Sequence, residues 1–302
     1  MGITRRRFLK YCIGSAAVLG LNATIIGKLH EALAGDASMP NVIWIEGSSC
    51  SGCTVSLANL IGDASDDGPV DIADLLINYI NTGFAKTLMS AAGDLAVSQL
   101  RATQDQDFIL VVEGGVPTAF GGMACTLFHE NGVDVTMRDA VLELAPLATM
   151  VLCVGTCSSF GGIPAADPNP TGVQSVSDLT GISTINMPGC PAHPAWVAGT
   201  IASALCGTIP ETDADGRPLA FYGNTVHSKC PRKPLYDRGL FATDFGQEGQ
   251  CLSQRGCNGP SSFADCPVRG WNNGLNYCTQ SNANCIGCVE RDFPKSQLIY
   301  RP

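Results

Sequence analysis

Residues suited to binding soft metals crowd one stretch of this chain, from His227 to Cys288. The stretch holds one histidine and seven cysteines within about a fifth of the 302 residues, and they divide into two sets of four. The sets are His227, Cys230, Cys251 and Cys257, and then Cys266, Cys278, Cys285 and Cys288. Four such ligands suit a tetrahedral metal ion or an iron–sulfur cluster. Glycines and prolines between them favour turns, so we expect inorganic cross-links rather than an apolar core to hold this segment together.

The first 34 residues have the pattern of an export signal. Arg5 to Lys10 supply a cluster of basic residues, a modestly apolar run follows, and Ala32-Leu33-Ala34 is a small-x-small cleavage site. The paired arginines are typical of the twin-arginine route. The alternative is an uncleaved membrane anchor, which the polar residues in the run disfavour. Because no later stretch approaches ~20 continuous apolar residues, we expect a soluble mature protein without a membrane anchor in this chain.

The charge balance excludes one class of partner and favours another. Removal of residues 1–34 takes away five cations and one anion, so the formal charge changes from −9 to −13. Such a chain has no excess of Lys or Arg to neutralise phosphates, which argues against nucleic-acid binding. An acidic surface suits a partner with a basic face.

The fifteen cysteines raise the question of disulfides. Disulfide-rich exported proteins are usually short, whereas this chain has a full-sized apolar N-terminal half. Because the twin-arginine route carries folded proteins, a chain loaded with metal in the reducing cytoplasm would be exported with its thiolates already occupied. This favours clusters over disulfides.

The N-terminal half alternates apolar runs with helical patterns. The runs predict strands at 41–47, 107–112, 149–154 and 183–187, each followed by a glycine-containing turn. The helical candidates are 71–80, 84–102, 133–145 and 194–206. This alternation predicts an α/β fold with a doubly wound parallel sheet, whose ligands bind beyond the carboxyl ends of the strands. A polar segment after residue 207 marks the end of this pattern.

Four cysteines follow predicted strands and are expected to meet at one edge of the sheet. They are Cys50, Cys53, Cys157 and Cys190. Each one alone would fit the interpretation of a small buried residue, but four at equivalent places favour a joint site. Three others lie in helix-like or strand-interior patterns and are interpreted as core residues: Cys125, Cys153 and Cys206.

In their order along the chain, these motifs resemble the small, electron-transfer subunit of a nickel–iron hydrogenase, most closely the nickel–iron–selenium type. The matching motifs are Cys50-x-x-Cys53, Val154-Gly155-Thr156-Cys157, Pro188-Gly189-Cys190-Pro191, His227-x-x-Cys230, and Cys266 through Trp271-Asn272-Asn273-Gly274 to Cys285-Ile286-Gly287-Cys288. The resemblance implies a twin-arginine signal over 1–34. It also implies a flavodoxin-like domain over 35–207 and a smaller, irregular iron–sulfur domain over 208–302.

The resemblance also implies three 4Fe–4S clusters. A proximal cluster would be bound by Cys50, Cys53, Cys157 and Cys190, a distal one by His227, Cys230, Cys251 and Cys257, and a medial one by Cys266, Cys278, Cys285 and Cys288. Common members of the family carry a proline where this chain has Cys278 and then bind a three-iron cluster. If Cys278 is not a ligand, the medial cluster becomes 3Fe–4S. A fourth cysteine should lower the medial potential towards that of its neighbours.

The implied function is a relay in the reaction H2 = 2 H+ + 2 e−. The nickel–iron site would lie in a large subunit, and electrons would pass to an external carrier such as a c-type cytochrome in the periplasm. No catalytic residue is expected in this chain. Glu46, near Cys50, has two possible roles, to relay protons or to hydrogen-bond a turn, and the second is favoured. Oxygen-tolerant members have an extra cysteine where this chain has Gly52, so a plain four-iron proximal cluster is expected.

Two alternatives come from other classes of protein. The cluster-bearing subunit of a quinone-reducing complex shares the flavodoxin-like half but lacks the His-x-x-Cys set. A zinc-stabilised or disulfide-bonded exported binding protein would use the same cysteines, although their spacings match common zinc fingers poorly. Visible absorbance separates this second alternative from a cluster protein.

Overall fold

A five-stranded parallel sheet forms the N-terminal half of the chain. The computed structural model describes residues 23–26, 40–60, 80–205 and 209–294. The sheet strands are β1 (Asn41–Glu46), β2 (Asn81–Ala85), β3 (Phe108–Glu113), β7 (Met150–Val154) and β9 (Ile185–Met187). Their spatial order is β2-β1-β3-β7-β9, and every neighbouring pair is parallel. This is the flavodoxin-like order, which confirms the predicted fold class.

Helices pack on both faces of the sheet. They are α1 (Gly52–Ala58), α2 (Asp94–Gln104), α3 (Met137–Leu144), α4 (Thr156–Phe160), α5 (Val176–Thr180) and α6 (Pro194–Leu205). Alternate residues of a strand point to opposite faces, so Trp44 packs on the side of α1 and α6, and Ile43 on the side of α2 and α3. Both are essentially inaccessible to solvent. The two layers give the parallel sheet an apolar cover on each face.

Two short antiparallel pairs were absent from the prediction. Strands β5 (Thr126–Glu130) and β6 (Val133–Thr136) form a hairpin, and β4 (Val116–Pro117) pairs with β8 (Val173–Gln174). The helix predicted over 133–145 therefore begins only at Met137, where Thr136 caps α3 by accepting a hydrogen bond from the Asp139 amide.

The four predicted strands are confirmed, but the helix predicted over 84–102 was wrong in its first half. Residues up to Ala85 belong to edge strand β2, and α2 begins only after Gly93, which has a φ of +57°. The helix predicted over 71–80 lies almost wholly outside the described residues. The helix predicted over 194–206 is confirmed as α6.

The C-terminal region has short elements and a small core. Its α-helices are α7 (Leu219–Tyr222), α8 (Lys233–Asp237) and α9 (Cys266–Arg269), and its 3-10 turns are His227–Lys229, Leu252–Arg255 and Gly259–Ser261. The N-terminal half has two further 3-10 turns, Ala119–Gly122 and Ile163–Ala165. Within the described ranges, no helix has both the length and the apolar character that crossing a bilayer requires.

Several hydrogen bonds join the C-terminal region to the sheet domain, among them three that involve α6 or the segment before it. Trp196 of α6 donates from Nε1 to Asp265 at 2.8 Å, and the Tyr222 hydroxyl donates to the Pro188 carbonyl at 2.8 Å. The third bond, at 2.8 Å, runs from the His193 ring to the Gly270 carbonyl. All three start or end close to the turn that carries Cys190, so this turn is fixed from both sides.

Candidate metal centres

The first group of predicted ligands meets at the carboxyl edge of the sheet. Cys50 and Cys53 lie where β1 turns into α1, Cys157 lies in the first turn of α4 after β7, and Cys190 follows β9. Cys50 and Cys190 are exposed, whereas Cys53 is buried. The site lies at the point where the strand order reverses, which is where α/β sheets of this kind bind their ligands.

Glycines keep space open around these thiols. A Cβ on Gly155 would lie 2.5 Å from the Cys53 sulfur, and one on Gly162 would lie 3.1 Å from the Cys157 sulfur. Both glycines have positive φ, +88° and +53°, which L side chains rarely adopt. A side chain at either position would collide with a thiol, so glycine is needed for the two sulfurs to occupy these places.

The thiols of the first group influence one another. Burial, followed by the neighbouring Cys190 and Cys50, raises the pKa of Cys157 to about 12. Burial, followed by the Glu113 carboxylate, raises the pKa of Cys53 well above its usual value. These thiols stay protonated when bare, and a bound metal supplies the positive charge that would ionise them.

Two buried acids shape the turn between β1 and α1 and are not among the predicted ligands. Glu113 accepts hydrogen bonds from the backbone amides of Cys53 at 3.0 Å and Thr54 at 3.1 Å, so it holds the start of α1. Burial raises the pKa of Glu113. Glu46 accepts a hydrogen bond from the Ser51 hydroxyl at 3.0 Å, in agreement with its expected role in the turn.

The second group lines one cavity in the C-terminal region. The cavity has a volume of about 260 Å3, and its walls include Cys266, Cys278, Cys285 and Cys288. Burial raises the pKa of Cys266 and of Cys285 to about 12, and it raises the pKa of Cys278 as well. Cys278 thus faces the same space as the other three thiols.

The first and second groups touch. Cys190 of the first group also lines the second cavity, and its backbone lies beside the Cys288 thiol and lowers the pKa of that thiol, against the larger effect of burial. The Thr156 hydroxyl donates to the Cys288 carbonyl and accepts from the Gly189 amide at 2.8 Å. Thr156 therefore connects, through hydrogen bonds, the turn that carries Cys190 to the turn that carries Cys288.

The third group lines a separate, smaller cavity. His227, Cys230, Cys251 and Cys257 all lie on its wall. The Tyr236 ring meets the His227 ring edge-on, with 4.7 Å between centroids. Burial raises the pKa of Cys251, and the nearby thiols of Cys257 and Cys230 add to this effect.

The second and third groups also touch. The Tyr277 hydroxyl donates to the Cys230 sulfur at 3.3 Å, and the Thr279 hydroxyl oxygen lies 3.8 Å from the same sulfur. Both residues flank Cys278 of the second group. The Asn258 amide, next to Cys257, donates to the Cys285 carbonyl at 2.7 Å. The three groups therefore form a continuous series.

The donor set of each group suits a cluster. Across the described ranges, no three His, Cys, Asp or Glu side chains are close enough together to hold a single metal ion. In a four-iron cluster each cysteine binds a different iron atom, so the ligands are spread more widely than those of one ion. The open space beside the thiols and the soft donor set fit such a group.

The remaining cysteines and histidines lie outside these groups. All thirteen described cysteines are free thiols. Cys153 is fully buried in β7, as expected for a core residue, Cys125 is partly buried, and Cys206 lies outside the described residues. His193 accepts from the Ala195 amide at Nδ1 and meets Gly270 through Nε2, and burial lowers its pKa to about 4. It supports the Cys190 turn.

Sequence reasoning missed three residues that shape these sites. Glu113 ends an apolar strand beside the strand that leads to Cys50, which is the signal that could have revealed it. Thr156 and Tyr277 each stand next to a predicted ligand, but their contacts cross between groups. Long-range contacts of this kind leave no periodic pattern in a sequence.

Two family models match the chain. The model for the C-terminal part of the "NiFe/NiFeSe hydrogenase small subunit" matches residues 222–300. The model described as "NADH ubiquinone oxidoreductase, 20 Kd subunit" matches residues 50–204. The second match fits the expectation that the sheet domain is shared with quinone-reducing complexes, whereas the first covers most of the C-terminal region.

Individual proteins resemble the chain along nearly its whole length. The periplasmic NiFeSe hydrogenase small subunit of Desulfomicrobium baculatum is 38% identical, with 97% of each chain covered. The periplasmic NiFe hydrogenase small subunit 1 of Nitratidesulfovibrio vulgaris is 35% identical, covering 97% of this chain and 91% of its own. A solved structure of recombinant NiFeSe hydrogenase from Desulfovibrio vulgaris Hildenborough is similar at a TM-score of 0.81 and 38% identity, covering 88% of this chain and 99% of its own. The chain therefore belongs to the small-subunit family of NiFe and NiFeSe hydrogenases.

Proposed function

We propose that this chain relays electrons between the nickel–iron site of a hydrogenase large subunit and an external carrier. The observation that carries this proposal is the unbroken series of ligand groups. Cys190 contacts Cys288, and Tyr277 beside Cys278 contacts Cys230. A relay needs redox centres placed close together in series. A protein that used metal only for stability would not need its metal sites to adjoin one another.

In this proposal the first group binds a proximal cluster, the second a medial cluster and the third a distal cluster, all of the 4Fe–4S type. Each cluster, when bound, takes up and gives back electrons at a potential set by its ligands and surroundings. The thiols supply the ligands, and Gly155 and Gly162 leave the space. Glu113 and Thr156 fix the turns that carry Cys53 and Cys157.

The four-iron assignment of the medial cluster is supported by Cys278. Its side chain lines the same cavity as those of the other three cysteines, so a fourth thiolate is available. Four thiolates favour a 4Fe–4S cluster over a 3Fe–4S cluster. We assign all twelve predicted ligands in this way.

We further propose that the protein works in the periplasm after export by the twin-arginine route. The relatives from Desulfomicrobium baculatum and Nitratidesulfovibrio vulgaris are described as periplasmic. In this chain residues 1–34 form the leader, residues 35–207 the sheet domain, and residues 208–302 the domain with the medial and distal clusters. The H2 reaction itself takes place in the large subunit, and this chain has no catalytic residue.

The decisive experiment counts iron and acid-labile sulfide in the anaerobically purified holoenzyme, after subtraction of the iron that belongs to the large subunit. Three four-iron clusters give about twelve iron and twelve sulfide per chain. About eleven iron with twelve sulfide would mean a three-iron medial cluster and would contradict the assignment of Cys278. A colourless protein with zinc and little iron would contradict the relay as a whole.

A further inference from the structure

The charge of this chain is divided unevenly between its two parts. Residues 35–226 have four Lys and Arg against twenty Asp and Glu, a formal charge of −16. Residues 227–302 have nine Lys and Arg against six Asp and Glu, a formal charge of +3. The acidic character of the chain after residue 34 thus comes from residues 35–226, most of which belong to the sheet domain.

Cations concentrate beside the third ligand group. The twelve residues from His227 to Arg238 contain Lys229, Arg232, Lys233 and Arg238 but only one acid, Asp237. Lys229 and Arg238 are exposed. Lys233 pairs with Asp237 at 2.7 Å, yet 42% of its side chain remains exposed.

Acids on the adjoining loop reduce this positive charge without reversing it. Asp244 and Glu248 are exposed. With them included, residues 227–260 have five Lys and Arg against three Asp and Glu. Arg232 is turned inward, where it lines the cavity of the third group and donates to the Gln250 carbonyl at 2.9 Å. The cations that remain for a partner are mainly Lys229, Lys233 and Arg238.

Apolar side chains lie among these cations. Tyr236 is 38% exposed and contacts the His227 ring, and Leu240, two residues beyond Arg238, is 46% exposed. His227 itself is partly exposed. A ligand of the third group is therefore reached from solvent through a small apolar area surrounded by positive charge. Surfaces of this kind suit brief encounters with a redox partner.

We propose that Lys229, Lys233, Tyr236, Arg238 and Leu240 form the docking surface for the external carrier, and that this carrier is a small one-electron protein with an acidic face. The proposal rests on the proposed function, in which electrons leave through the third group. Opposite charges steer such a carrier to the site and repel carriers with basic faces. The local charge therefore selects the opposite kind of carrier from the one that the charge of the whole chain favours.

The test compares two forms of one carrier with the hydrogenase holoenzyme. Unmodified cytochrome c presents lysines around its haem edge, and succinylated cytochrome c presents carboxylates at the same positions. One H2 gives two electrons and two protons, and the electrons reduce two ferric haems. At low salt we expect H2 to reduce the succinylated form about tenfold faster. This advantage should shrink as the ionic strength rises to about 0.15 M or more.

A charge-reversed variant tests whether the cations of the docking surface cause the faster reduction of the succinylated form. Lys229→Glu combined with Arg238→Glu should slow reduction of the succinylated form about tenfold at low salt. Asp105→Lys is the matched control, because Asp105 is exposed between α2 and the amino end of β3, at the opposite edge of the sheet from the ligand groups. It should leave that rate unchanged. The iron content of each variant checks that its clusters are loaded.

The outcomes separate this proposal from the relay itself. Faster reduction of unmodified cytochrome c, or equal rates for the charge-reversed variant and the wild type, would overturn the acidic carrier while leaving the relay intact. Reduction of benzyl viologen by the wild-type holoenzyme under H2 tests the relay. If the dye is not reduced, the relay fails and the docking surface fails with it.

Discussion

Tyr277 and Thr279 flank Cys278 of the second group, yet both approach Cys230 of the third. The Tyr277 hydroxyl is the closer, at 3.3 Å from the sulfur. A hydrogen bond to a thiolate stabilises the more negative, reduced state of its cluster and raises the reduction potential. Under the proposed ligation, one tyrosine hydroxyl therefore links the medial ligand segment to the potential of the distal cluster.

We predict that Tyr277→Phe lowers the distal potential by about 40 mV, the equivalent of about 1 kcal/mol for one electron. An EPR-monitored redox titration of the holoenzyme measures this shift. Tyr236→Phe is the matched control, since the ring of Tyr236 rather than its hydroxyl meets His227. An unchanged distal potential in Tyr277→Phe would show that the hydroxyl does not act on the cluster.

Cys278 allows a second prediction at the residue scale. Cys278→Pro removes one of the four thiols of the second group, so the medial cluster should lose one iron and its potential should rise. The oxidised variant should show the EPR signal of a 3Fe–4S cluster, whereas oxidised 4Fe–4S clusters are silent. The same three-iron signal in the wild type and the variant would mean that Cys278 is not a ligand.

The sequence was more informative about ligands than about their supports. Spacing grouped His227 with Cys230, Cys251 and Cys257, and all four line one cavity. Cys278 likewise reaches the cavity of its predicted partners. The supporting roles of Glu113 and Thr156 were not predicted, because they depend on contacts across 60 and 132 positions. Local patterns carry no information about such distances.

At the scale of elements, buried strands were predicted well and edge strands poorly. Within the predicted run 107–112, residues 108–112 are all apolar because β3 is covered on both faces, and this pattern is easily recognised. Strand β2 owes its conformation to pairing of Phe84 and Ala85 with Ile43 and Trp44 of β1. That pairing is long-range and leaves no local pattern. The sequence pattern therefore assigned the apolar residues of β2 and of α2 to one continuous helix.

The turn from β7 to α4 supplies a prediction for an element. Gly155→Ala adds a Cβ that would lie 2.5 Å from the Cys53 sulfur at a φ of +88°, so we expect loss of the proximal cluster, about four iron atoms per chain. Gly132→Ala is the control, because Gly132 has a φ of +81° but nothing within 4 Å of its added Cβ. The control should cost about 1 kcal/mol of stability and keep its iron. Full iron in Gly155→Ala would contradict the proximal assignment.

At the scale of the whole molecule, one buried cation joins the start of the C-terminal region to its end. The Arg217 side chain is 6% exposed and bonds Asp213 at 2.7 Å and Glu290 at 3.1 Å. Burial raises the pKa of Glu290, and the Arg217 charge opposes that effect. Removal of the arginine would leave a largely buried carboxylate without its counter-charge.

We predict that Arg217→Met costs about 3 kcal/mol and lowers the thermal transition of the holoenzyme by roughly 6–12 °C, measured by calorimetry. Arg291→Met is the control, because Arg291 is 47% exposed and pairs with Asp215 at the surface. Its loss should cost about 1 kcal/mol or less. Equal transitions for the two variants would show that the buried network does not stabilise this region.

The small core of the C-terminal region has a consequence for assembly and repair. Cys257, Cys266, Cys285 and Cys288 belong to this core or pack against it, together with Trp196, Phe221 and Tyr222. Under the proposed ligation, the clusters hold together side chains that would otherwise have few apolar neighbours. Oxidative loss of iron then disrupts the fold of the C-terminal region as well as electron transfer through it. Resupplying iron and sulfide to a damaged enzyme restores activity only as fast as this region can refold.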